Sequence, residues 1–91
     1  MEIKWTDTDP KSGERRFLKA VRFGGKWTFK HKFQRRGEWD RGPHPNIDIW
    51  EIVLDALERR YRRREGVSEE DVKQVQRIIA ELKRKSRDEE E

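Results

Sequence analysis

The sequence predicts an α+β fold: a three-stranded antiparallel meander over about 2–6, 15–22 and 26–35, then two helices over about 48–64 and 69–85 packed on its aromatic face. Three observations lead there. Apolar and polar residues alternate at strand spacing up to Arg35, while beyond Asn46 the apolar residues recur at steps of three and four. Gly and Pro cluster between the two regimes, in Gly37, Gly42, Pro43 and Pro45, which reads as a crossover loop.

Size limits what can be built on this plan. Ninety-one residues make one domain, expected to span 1–87 ahead of an acidic, disordered tail at 88–91. At this length folding buries roughly 60–65% of the surface an unfolded chain exposes, enough for one modest core. Only 31% of the residues are hydrophobic and 46% are charged, but four Trp and four Phe offset the shortage, since each ring removes more apolar area than an aliphatic side chain. The absence of cysteine excludes a disulfide framework and a zinc-thiolate site. No apolar run has the length of a signal peptide or a membrane span, so a cytoplasmic location without membrane contact is expected.

The first strand, Glu2 to Thr6, places Ile3 and Trp5 on one side and Lys4 and Thr6 on the other. The turn residues of TDPKSG connect it to the second strand. Between the second and third strands, Gly24-Gly25 leaves two registers. A two-residue turn pairs Arg22 with Trp27 and Ala20 with Phe29, separating Phe17 and Val21 from the aromatics of the third strand. A three-residue loop of Phe23, Gly24 and Gly25 instead gathers Phe17, Val21, Trp27, Phe29 and Phe33 on one face with Lys19 and His31. The opposite face then holds Arg16, Leu18, Ala20, Arg22, Thr28, Lys30, Lys32 and Gln34. The three-residue loop is expected because it separates one covered face from one basic face. Trp39, in the crossover loop, is expected to plug the end of the core.

Both helix starts carry capping signals. Asp48 and Ser68 are the expected caps, each with an acid three residues on and apolar residues at the flanking staple positions. The first helix aligns Trp50, Val53, Leu54, Leu57 and Tyr61, with Ile49 and Ala56 at the margin, and Gly66 is expected to end it. The second aligns Val72, Val75, Ile79 and Leu82 and is expected to fray before the acidic tail, whose charge is unfavourable at a helix C-terminus. The order of strands and then helix resembles that of three-stranded DNA-reading domains such as those of plant ethylene-response factors and the arm-binding domains of phage integrases. The likeness is one of architecture, with no motif shared residue by residue.

Catalytic constellations are missing from the sequence. Ser12, Ser68 and Ser86 lie far from either histidine, His44 and Asp48 supply at most two metal ligands, and Gly24-Gly25 precedes a strand where a phosphate loop precedes a helix. Neither an enzyme nor a bound cofactor or metal is expected. Charge is the stronger signal. Residues 1–45 hold twelve bases against six acids, residues 46–91 eleven against thirteen, and residues 15–37 hold nine bases and no acid. A hairpin face carrying Arg16, Arg22, Lys30 and Lys32, extended by Arg35 and Arg36, matches the phosphates of DNA or RNA. Arg59, Arg60, Arg62, Arg63 and Arg64 form a secondary basic cluster at the end of the first helix, where cations also favour the helix dipole. The alternative is a protein-interaction or assembly module, with the basic face meeting an acidic protein surface or helix 69–85 forming a homodimer through its apolar seam.

Overall fold

The structure, a computed structural model, describes residues 1–42 and 44–90, the last three of these by backbone alone. An antiparallel sheet is followed by two helices, so the fold class is α+β as expected. Pro43 of the crossover loop and Glu91 of the acidic tail lie outside the described residues. The chain forms two compact units, Met1–His44 and Pro45–Glu91.

In the first unit, β1 (Glu2–Thr8), β2 (Arg15–Phe23), β3 (Lys26–Lys32) and β4 (Asp40–Arg41) pair antiparallel in the order β1-β2-β3-β4. The loop between β1 and β2 is closed by Asp9, whose carboxylate accepts from the Lys11 N–H and the Ser12 hydroxyl, both at 3.1 Å. The Lys11 N–H, followed by the Ser12 hydroxyl, holds that carboxyl below its usual range. The short β4 adds a strand to the three expected. Its attachment depends on Gly42, whose N–H donates to Phe29 O at 2.8 Å, and a Cβ there would come within 2.8 Å of the Phe29 backbone.

The β2–β3 register differs from the expected one. Phe23 pairs with Lys26, Arg22 with Trp27 and Ala20 with Phe29, so the loop has two residues. Gly24 and Gly25 take φ of 59° and 78°, and positive φ at both central positions is the mark of a type I′ turn, whose twist matches that of the flanking strands. Local turn chemistry thus outweighs the gain of uniting Phe17 and Val21 with the aromatics of β3. On the covered face stand Ile3 and Trp5 of β1, Leu18 and Ala20 of β2, and Trp27, Phe29 and His31 of β3. Ile3, Leu18, Ala20 and Phe29 are buried there. β3 ends at Lys32 instead of about Arg35, because Gln34–Gly37 closes a turn with the Gly37 N–H donating to Gln34 O; Phe33 is left exposed.

The second unit is a pair of helices, α1 (Ile47–Arg62) and α2 (Glu69–Glu90). The α1 cap is Asn46 and not Asp48: Asn46 Oδ1 accepts from the Ile49 N–H at 2.9 Å, and Asp48 sits in the first turn, where its charge favours the dipole. At the start of α2 the expected box is closed reciprocally. Ser68 Oγ accepts from the Asp71 N–H at 3.3 Å and Asp71 Oδ2 from the Ser68 N–H at 2.9 Å. Ile49, Trp50, Val53 and Leu57 of α1 are buried, as are Val75 and Ile79 of α2, whereas Tyr61 is exposed, one turn beyond the buried stripe. Lys83 Nζ lies 3.6 Å from Glu51 Oε1, joining the first turns of α1 to the far part of α2 in an antiparallel hairpin. α2 does not fray at 85 but continues to Glu90. Among the described residues no helix is long and apolar enough to cross a membrane.

The end of α1 also departs from expectation. Arg64, at φ 58°, takes the left-handed place, with its N–H donating to Tyr61 O and the Glu65 N–H to Arg60 O. These two bonds make a Schellman motif with arginine where glycine is usual, and Gly66 follows two residues too late to fill it.

Candidate functional site

The pairing of the strands orders the outer face of the sheet into rows. Lys4 faces Lys19, Lys19 faces Lys30, and Lys30 faces Arg41, so one line of four cations crosses all four strands. With strands ~4.8 Å apart this line is about 14 Å long. The next same-face row, about 7 Å along the strands, is Thr6, Phe17 and Lys32. Arg15 lies one row beyond, its guanidinium 5.7 Å from the Phe17 ring centre. In the other direction come Glu2, Val21 and Thr28, then Phe23 opposite Lys26 at the hairpin tip. Glu2 is the one acid among these strand positions; its pairing with Lys4 at 3.0 Å holds its carboxyl below the usual range. Phe23 is 88% exposed.

Trp39 rests on this same outer face. Lys19 Nζ lies 4.5 Å and Lys32 Nζ 4.6 Å from the centre of its ring, and Lys32 also donates to Arg35 O at 2.9 Å. Trp39 therefore does not plug the covered core; two cation–π contacts hold its loop over the basic rows. A pocket of about 440 Å³ opens beside it, lined by Thr6, Phe17, Lys32, Arg35 and Trp39, with β1 and β2 as its floor.

The expected residues separate into groups. Lys30 and Lys32 stand on the outer face, Lys30 exposed and Lys32 held by Trp39. Arg35 lines the pocket and Arg36 is exposed in the turn after β3, so neither prolongs the face as strand. Arg16 and Arg22, expected beside Lys30, stand on the covered face instead, because the two-residue turn reverses the parity of β2. Arg16 is buried and bound to Asp7, whose carboxylate raises the guanidinium pKa further, and Arg22 pairs with Trp27. In the arginine cluster, Arg59 pairs with Asp55; Arg62, Arg63 and Arg64 are exposed.

Lys4, Lys19 and Arg41 were not among the expected site residues. The signal for the first two lay in the turn: once Gly24-Gly25 is a two-residue loop, Lys19 falls opposite Lys30 and joins Lys4 on the polar side of β1. Arg41 carried no such signal, since a two-residue strand has no periodicity. On the covered face, Trp5 Nε1 and His31 Nδ1 are buried without a hydrogen-bond partner among the described residues. No three His, Cys, Asp or Glu side chains among the described residues are grouped to hold a metal ion. No family model matches the chain, and neither a curated protein nor a solved structure is similar to it.

Proposed function

We propose that this protein binds nucleic acid through the outer face of its sheet. The supporting observation is the row Lys4, Lys19, Lys30, Arg41. Like charges directly opposite each other on neighbouring strands are destabilising, and this row contains three such pairs, of which Lys4–Lys19 is relieved by Glu2, 3.0 Å from Lys4. In a domain whose whole stability is of the order of 5–15 kcal/mol, such a cost needs a compensating use. Solubility alone is met as well by mixed charges. Protection of sheet edges does not account for Lys19 and Lys30, which lie on the two inner strands. Glu2 meets the charge of Lys4 at one end of the row; a polyanion supplies counter-charge to Lys19, Lys30 and Arg41, and neutralising several phosphates together releases their condensed counterions.

The alternative, assembly through α2, has weaker support. Val75 and Ile79, the middle of its apolar seam, are buried within the chain, leaving Ile78 and Leu82 half-exposed for a partner.

Fluorescence anisotropy of a labelled oligonucleotide across a salt series tests the proposal. Three phosphate contacts give a slope of log affinity against log salt of about −2 to −3. No binding at low salt, or a flat dependence, overturns it.

A further inference from the structure

We infer that the pocket between Phe17 and Trp39 receives one unpaired base, so that the nucleic acid is bound as a single strand. This rests on the proposed function and adds to it. A cationic row by itself is indifferent to strand number, since both duplex and single strand present phosphates. The aromatic row is what distinguishes them: the Thr6, Phe17, Lys32 row lies one same-face step, about 7 Å, from the cations. A backbone lying on Lys19 and Lys30 has this row within reach of its bases.

The pocket has the composition that a base requires. Phe17 and Trp39 supply aromatic surface to its lining, Thr6 a hydroxyl, and Lys32 and Arg35 positive charge for the adjoining phosphate. Trp39 is positioned in advance, since Lys19 Nζ and Lys32 Nζ lie 4.5 and 4.6 Å from its ring centre. The stacking surface therefore needs little ordering on binding, which favours affinity. In a duplex the bases are paired and stacked inside the helix, and this pocket has nothing to receive. Phe23, 88% exposed beside Lys26, offers a second ring at the hairpin tip for a base further along the strand.

The experiment compares labelled oligo(dT), oligo(rU) and a mixed-sequence duplex by anisotropy, with the full chain and with Trp39→Leu and Phe17→Leu. Both single strands should bind more tightly than the duplex. Each substitution should weaken single-strand binding about 5- to 100-fold, the range for losing one stacked base, while duplex affinity and the salt slope stay unchanged. Trp39→Phe, which keeps a ring over the lysines, should retain most of the affinity, separating loss of stacking from loss of fold. Equal affinity for duplex and single strand, unaltered by the substitutions, overturns the base pocket and leaves phosphate binding standing. Absence of binding to all three probes overturns both.

Discussion

Arg16 donates from Nε and Nη2 to the two carboxylate oxygens of Asp7, at 2.9 and 2.8 Å, across the β1–β2 ladder. Such a two-pronged pair fixes geometry as well as charge. The Arg16 side chain is 11% exposed and that of Asp7 30%. Asp7→Ala strands a buried cation and should lower stability by about 2–4 kcal/mol, somewhat under the cost for a fully buried pair. Asp7→Leu combined with Arg16→Met removes both charges and should recover most of that loss. Urea midpoints of the three variants check this, and oligonucleotide affinity of the double variant should be unchanged because the pair lies on the covered face.

The turn between β2 and β3 should respond to backbone conformation alone. Gly24 and Gly25 both sit at positive φ with open space around each. Replacing them with Asn-Gly keeps a favoured type I′ sequence and should leave stability within about 0.5 kcal/mol of the original. Ala-Ala forces two side chains into the left-handed region and should cost about 2–4 kcal/mol. A thermal unfolding series measures the difference.

Which parts of the sheet were legible follows from the same residues. In β3, Lys26, Thr28 and Lys30 alternate with Trp27 and Phe29, and the covered side is as the alternation indicates. In β2, Phe17 and Leu18 are adjacent, as are Ala20 and Val21, so either parity leaves apolar residues on both faces. Apolar bookkeeping favoured the wrong parity there, and the Gly-Gly dipeptide carried the information. Arg16 and Arg22 left the basic face for this one reason, and Lys19 joined it. Trp39 could not be placed from its loop, because its partners Lys19 and Lys32 come from two different strands.

At the end of α1, Arg64 occupies a position suited to glycine. Arg64→Gly should raise stability by about 1 kcal/mol by removing the left-handed strain of a residue with a Cβ. Gly66, at φ 77°, should lose a comparable amount on replacement by alanine. Denaturant midpoints of both variants test the helix end. The same Arg64→Gly variant should leave the salt slope of oligonucleotide binding unaltered if the arginine cluster is a helix terminus and the sheet carries the phosphates.

Lys30 and Arg41 are exposed cross-strand neighbours, and their like charges repel. Lys30→Gln with Arg41→Gln should therefore stabilise the fold by a few tenths of a kcal/mol while weakening its hold on nucleic acid. The deciding measurement is the slope of log affinity against log salt for this double variant beside the unaltered chain. Loss of two phosphate contacts should flatten the slope by about 1.4–1.8. An unchanged slope in a folded double variant would contradict phosphate binding by the cation row.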